Sequence, residues 1–206
     1  MNEIATTFHP NRQRGRPREF DVDAAVDKAI GVFAERGFHA TSVGDLTEAM
    51  ELTQGSLYKA FKDKKDIYIA AVERYKLVQT RRFEAKVQAG RNGREKLLAA
   101  MNFYADGSAG QSGKQGCLVV GAAADLASLD EDMARVVRSA IEAREKILAR
   151  LVREGQADGS VASSGQAEVL AKTALCLLYG MRVVGKTGPS REELSLIVNA
   201  AMRVFD

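Results

Sequence analysis

Apolar residues recur along this chain at intervals of three and four, the period of a helix face. No stretch alternates with the period of two that a half-buried strand requires. Asp21 is a candidate N-cap, and Val22, Ala25, Val26, Ala29, Ile30 and Phe33 follow on one stripe until Gly37 stops the helix. Ser42 and Asp45 form an S-x-x-D capping pair ahead of a second, shorter helix with Val43, Leu46 and Met50 on its apolar side. A break at Glu51-Leu52 leads to Thr53, the cap of a third short helix through Ala60, and Phe61 closes the unit. Three short helices, the second and third separated by a tight turn, form a helix-turn-helix layout.

The pattern then lengthens. A helix from about Lys64 to Val87 carries Ile67, Ala71, Tyr75 and Val78 on one face, and Gly90, Asn92 and Gly93 break it. Another runs from Glu95 to Ala105. The segment 107–116 has glycine at every third position and reads as a mobile loop. Cys117 to Leu126 reads as a buried helix. Asp130 opens a long helix with Met133, Val136, Val137, Ala140, Ile141, Ile147, Leu148 and Leu151 on its stripe, ending near Gly155. The next, from Gly165 to about Lys186, is apolar on two sides. Leu170, Ala174, Leu175 and Leu178 lie on one, and Val169, Cys176, Leu177 and Val184 on the other. A helix apolar nearly all round must be covered on both flanks. A last helix starts at the Ser190–Glu193 capping box, with Leu194, Ile197, Val198, Ala201, Met202 and Phe205 as its stripe. The expected fold class is all-α.

Composition narrows the chemistry. The chain has 206 residues, a net charge of +3 and 46% hydrophobic residues, which suits a soluble globular protein and rules out a bulk polycation. Cys117 and Cys176 cannot build a disulfide framework and suit a reducing compartment. The two histidines, His9 and His39, leave little for a histidine-based metal site or triad. No metal, cofactor or catalytic constellation is expected, so the chain does not read as an enzyme. No apolar run is long enough for a membrane span, and with no apolar core ahead of the arginines near the N-terminus no secretory signal is expected. The small net charge hides local structure. Residues 1–66 hold 10 basic and 11 acidic side chains, yet 12–18 hold four Arg with no acid, and 59–65 hold four Lys with one Asp. Two basic patches therefore flank the helix-turn-helix.

The organisation expected is a flexible basic arm over 1–19, a helix-turn-helix unit over 20–66 and a larger helical domain over 67–206. In the arm, Arg14, Arg16 and Arg18 alternate with Gly15 and Pro17, a thin extended segment suited to a narrow A·T-rich minor groove. A second motif misleads. Gly180 to Thr187 matches the phosphate-binding G-x-x-x-x-G-K-T, but helical residues precede it and Gly188-Pro189 follow. It reads as a helix C-terminus with a basic last turn.

The most specific pattern spans 41–66. Gly37, Thr41, Val43, Leu46, Ala49, Gly55, Ser56, Leu57, Tyr58, Phe61 and Lys64 match, in order and spacing, the pattern of the TetR family of bacterial transcriptional regulators, which this chain resembles. Two positions depart from it. Glu51 stands where the family usually has a turn glycine, often needed for positive φ, and Ala60 stands where it often has His or Tyr. The resemblance implies a ligand-responsive, sequence-specific repressor of the bacterial cytoplasm and nucleoid. It places Thr53, Gln54, Gly55, Tyr58 and Lys59 on the face presented to the major groove. Gln54 is suited to adenine, and Lys59 to guanine or phosphate. It also places Thr41, Ser42 and Lys64 beside phosphates. Leu57 and Phe61 are read as core.

The family's second domain binds a small-molecule effector and dimerises. The resemblance implies a homodimer through the helices at 130–155 and 165–186, whose two reading heads meet successive major grooves of a palindromic operator in double-stranded DNA. Candidate pocket residues are Tyr75, Met101, Phe103, Tyr104, Cys117, Met133 and Tyr179. The Gly116-Cys117-Leu118 segment is similar to that of a subgroup in which some members sense electrophiles or small hydrophobic compounds. Cys176 is read as structural. Two other classes compete: a small-molecule-binding helical protein with a vestigial helix-turn-helix, and a non-specific nucleoid DNA binder.

Overall fold

A computed structural model describes residues 20–206. Among them every regular element is a helix: α1 (Val22–Ala40), α2 (Val43–Met50), α3 (Gln54–Ala60), α4 (Lys64–Val87), α5 (Gly93–Ser108), α6 (Gly110–Gln115), α7 (Leu118–Ala124), α8 (Glu131–Ala157), α9 (Ala167–Val184) and α10 (Arg191–Ala201). Several caps fall where the sequence puts them, whereas α5 starts at Gly93 on an Asn92 cap, two residues before the expected Glu95. Asp21 accepts from the amides of Asp23 and Ala24, and both capping boxes, Ser42–Asp45 and Ser190–Glu193, are closed. Gly37 takes φ 74° and breaks the helical path of α1.

The glycine-rich segment is the main departure. The residues expected to form a mobile loop are the end of α5 and all of α6. Gly113 is buried, and a Cβ there would lie 2.1 Å from the Ser108 carbonyl oxygen and 2.6 Å from that of Gly185. Its lack of a side chain serves close packing, a long-range need that local composition does not reveal. The phosphate-loop lookalike is the end of α9 and a 3₁₀ turn, Gly185–Thr187, as its flanking residues imply.

Two large apolar cores, with a small cluster of Cys117, Val119 and Ala140 beside them, organise the described residues. One gathers Ala25, Val26, Ala29 and Phe33 of α1, Leu46 and Met50 of α2, and Leu57 with Phe61 around α3. It continues into Ile67, Tyr68, Ala71 and Val72 of α4, and into Leu118, Ala122, Met133 and Val137 of α7 and α8. The helix-turn-helix therefore shares its core with the larger domain. The other core packs the far end of α4 with α5, α8, α9 and α10 around Phe83, Met101, Leu148, Leu178 and Phe205. Met133 and Met101 both sit inside these cores.

One flank of α9 is left uncovered by the other described residues. Val169, Cys176 and Val184 are exposed, so the expectation of a structural Cys176 fails for the single chain. Ile197 of α10 is also exposed.

Ion pairs fix the DNA-binding unit to the rest. Arg74 of α4 forks onto Asp27 (Nε 2.8 Å, Nη2 2.6 Å) and reaches Asp23 at 2.6 Å, both on α1. Lys65 Nζ bridges Asp130 (2.8 Å) and Asp132 (2.7 Å) at the start of α8. The Lys65 hydrogen bonds hold both carboxyls below the usual range, and the carboxylates push the Lys65 ammonium up to about 12. The carboxylates' stabilisation is therefore present above the ordinary carboxylate range and lost as pH falls through their lowered values. The ammonium's is present up to about pH 10 and lost as pH rises towards 12. Lys65→Met is expected to lower the melting temperature at pH 7, with the deficit shrinking below about pH 4 as both proteins lose their carboxylates. A deficit independent of pH would show that these ion pairs do not join the two parts in solution.

Candidate DNA-binding surface and ligand cavity

The helix-turn-helix forms because its apolar positions face one core while its polar ones are left outside. Leu57 is fully buried and Phe61 nearly so, which anchors α3 from behind. The opposite face carries Thr53, Gln54, Gly55, Tyr58 and Lys59, all exposed, with Tyr58 at 45%. Thr53 is also the N-cap of α3, its hydroxyl accepting from the Ser56 amide at 3.2 Å. Ser42 is exposed at the start of α2, where it caps the helix and donates to Asp45 Oδ2 at 2.7 Å. The exposed residues thus give one face able to combine base-edge and phosphate contacts.

Two of the expected phosphate ligands take inward roles instead. Thr41 is 1% exposed, and its hydroxyl donates to the Gly37 carbonyl oxygen at 2.6 Å. Lys64 Nζ donates to the carbonyl oxygens of Phe38 (2.9 Å) and Thr41 (2.8 Å) and stands 4.3 Å from the Phe38 ring centroid. The break at Gly37 leaves carbonyls at the end of α1 in need of donors, and these two side chains help supply them. Arg14, Arg16 and Arg18 lie outside the described residues.

The turn between α2 and α3 is built on Glu51, at φ 56° and ψ 40°. Among the described residues it alone has positive φ without being glycine. A left-handed conformation costs an L-residue about 1–2 kcal/mol, and its Lys28 ion pair (2.8 Å) is exposed and worth little. Glu51→Gly is expected to raise stability by about 0.5–1 kcal/mol, after the unfolded chain's extra freedom is deducted. A lowered urea midpoint would show that the Lys28 pair outweighs the strain.

Behind the reading unit lies an open cavity of about 720 Å³. Tyr75, Phe103, Tyr104, Cys117 and Tyr179 line it, as the sequence suggests, whereas Met101 and Met133 do not, being buried in the two cores. Its wall includes Ile30, Gly31, Ala34 and Glu35 of α1, which belong to the DNA-binding unit itself. Cys117 is the buried N-cap of α7, and its Sγ lies 3.2 Å from the Tyr75 hydroxyl. Burial, and then the Cys117 thiol, push the Tyr75 hydroxyl well above its ordinary range. Burial likewise pushes Tyr104 up to about 12 and raises Tyr179 further. These phenols are neutral hydrogen-bonding groups at pH 7.

Among the cavity residues that sequence reasoning missed are two buried arginines on helices otherwise marked by their apolar stripes. Arg144 and Arg182 are 7% and 9% exposed, and both line the cavity. Arg182 donates to the carbonyl oxygens of Gly107 and Gly116. The only sequence signal is position: each charge lies on the inward side of its helix.

Residues 25–71 match the profile of bacterial regulatory proteins of the tetR family, and residues 93–197 match that of the tetracyclin repressor-like C-terminal domain. The chain belongs to the TetR family. Family members similar to it include the transcriptional repressor ComR of Escherichia coli K12, 30% identical over 199 residues, 94% of this chain and 93% of ComR. The regulator AcuR of Cereibacter sphaeroides is 27% identical over 169 residues, 78% of this chain and 76% of AcuR. A solved structure of cysteine-substituted CifR, a TetR-family regulator bound to a 26-bp double-stranded operator, is 32% identical. It superposes with a TM-score of 0.77 over 93% of this chain and 100% of CifR. This TetR-family protein is a DNA-binding transcriptional repressor.

Proposed function

We propose that this repressor binds a palindromic operator as a homodimer and is released when a small molecule occupies the cavity between α1, α4 and the larger domain. The observation that carries the reading is the shared wall: α1 contributes to both the helix-turn-helix core and the cavity lining. A ligand there touches the reading unit directly, and it shifts the equilibrium only by binding one arrangement of the two parts better than the other. Tyr75 and Lys76 on the lining follow Arg74, which grips Asp23 and Asp27 of α1, so a change at the cavity reaches α1 through α4 as well.

In this reading Thr53, Gln54, Gly55, Tyr58 and Lys59 face the major groove, Ser42 approaches a phosphate, and Arg14, Arg16 and Arg18 reach the adjacent minor groove. Two copies pair through α8 and α9, covering Val169, Cys176 and Val184, and present two recognition helices roughly 34–36 Å apart or slightly more. The protein works in the bacterial cytoplasm on nucleoid DNA. Footprinting on the DNA beside the protein's own gene, with random duplex as competitor, tests the reading. A protected inverted repeat is expected. A specificity ratio near one would instead favour a general nucleoid binder.

A further inference from the structure

The cavity holds one donor that its protein neighbours do not satisfy. Arg144 stacks its guanidinium carbon 3.7 Å from the Phe83 ring centroid and 5.8 Å from that of Tyr104. Its Nη1 is buried with no hydrogen-bond partner. Leaving a charged donor buried and unpaired is costly, so a group of this kind marks a place where something else supplies the acceptor.

The surrounding charges set the sign of that acceptor. The lining carries Lys76, Arg82, Lys86, Arg144 and Arg182 against the acids Glu35 and Asp106. Asp106 is paired with Arg191 and Lys76 with Glu73, each at 2.6 Å, so one charge of each sign is set aside. Arg182 spends two donors on carbonyl oxygens, which are neutral and leave its charge uncompensated by them. The buried tyrosines stay protonated and cannot neutralise the arginines. The polar demand is narrow: one unpaired guanidinium nitrogen, beside aromatic walls from Phe103, Tyr104 and Tyr179. A phosphate, with several oxygens to satisfy, suits this less well than a carboxylate on an apolar body.

We propose that the cavity takes a small organic monocarboxylate, held by the Arg144 guanidinium, with its apolar or aromatic body packed against the ring cluster. This rests on the ligand-responsive reading above and names the chemical class of its ligand.

Benzoate, cinnamate and hexanoate, each beside its neutral primary amide, are to be titrated calorimetrically against the full-length protein. At least one acid is expected to bind about tenfold or more tightly than its amide, the margin of a charge-assisted hydrogen bond. Arg144→Met is expected to bring that acid and its amide to within about twofold, while Arg144→Lys keeps part of the preference. Helical circular dichroism checks the fold of each variant. Should Arg144→Met not fold, the comparison of acid with amide in wild type and Arg144→Lys decides. Amides binding as tightly as acids, or no acid binding at all, would overturn the carboxylate. So would an acid preference that Arg144→Met leaves unchanged, or inorganic phosphate competing as well as the acids. An acid that binds with the expected preference yet leaves operator affinity untouched would sink the ligand-responsive reading and leave the carboxylate site standing.

Discussion

Gly93→Ala is expected to cost on the order of 3 kcal/mol of folding stability, through the addition of a single methyl group. Gly93 is the first residue of α5 and lies against the last turns of α8. A Cβ there would stand 2.1 Å from the Gly155 nitrogen and 2.2 Å from its Cα. Both are backbone atoms, so no rotamer change relieves the clash. Gly155 cannot retreat easily either, because its own Cβ position lies 2.5 Å from Val161 Cγ2. The same contact caps α5: the Gly93 amide donates to Asp158 Oδ2 at 2.8 Å, and the Arg94 amide to Ser160 Oγ at 3.0 Å. Pushing the helices apart breaks these bonds and strands amides that have no partner within the helix. The melting temperature should fall by roughly 6–12 °C for a chain of this size. Gly121→Ala is the control, since nothing lies within 4 Å of its Cβ position on α7. It should be neutral or stabilise by up to about 1 kcal/mol. Equal urea midpoints for the two variants would mean that the ends of α5 and α8 do not meet in solution.

This contact also shows where sequence reading stops. Gly93 and Gly113 look like helix breakers, and locally the inference is sound. Their actual constraint reaches backbone more than forty residues away, at Gly155 for Gly93 and at Gly185, beside the nearer Ser108 carbonyl, for Gly113. No local period encodes that, and so the 107–116 segment reads as a loop. Helix starts are different, because a cap is satisfied within three residues. Asp21, Ser42, Thr53 and Ser190 were legible for that reason.

The candidate sites divide along the same line. The outward face of α3 follows from which residues its apolar side buries, and Leu57 settles that. Thr41 and Lys64 match the family pattern by type, yet their partners are carbonyls at the end of α1, exposed only by the break at Gly37. In the cavity, aromatic residues on the faces of α4, α5 and α9 were legible. Met133 was not, because the stripe of α8 meets the DNA-binding core at one end and the larger core at the other. Arg144 shares that helix, and although its place on the apolar stripe turns it inward, only the rings of Phe83 and Tyr104, from two other helices, show what it meets there.

On the recognition face, Gln54→Ala and Lys59→Ala are expected to weaken operator binding in different ways. A side-chain amide reading adenine makes a paired donor and acceptor contact worth about 1–3 kcal/mol of discrimination, so Gln54→Ala should lose roughly 10–100-fold on the operator. Its affinity for random duplex should hardly change, because no phosphate contact is removed. The slope of log affinity against log salt should likewise stay where it was. A lysine on phosphate behaves oppositely. Lys59→Ala should weaken operator and random duplex alike and reduce the salt slope by about one. Both side chains lie on the exposed face of α3, away from Leu57, and helical circular dichroism checks the fold of each variant. A salt titration of both variants on both duplexes therefore separates sequence reading from charge neutralisation on a single helix. If Lys59→Ala instead lost only operator affinity at unchanged slope, Lys59 would be reading a guanine. If neither variant changed anything, α3 would not be the element that enters the groove.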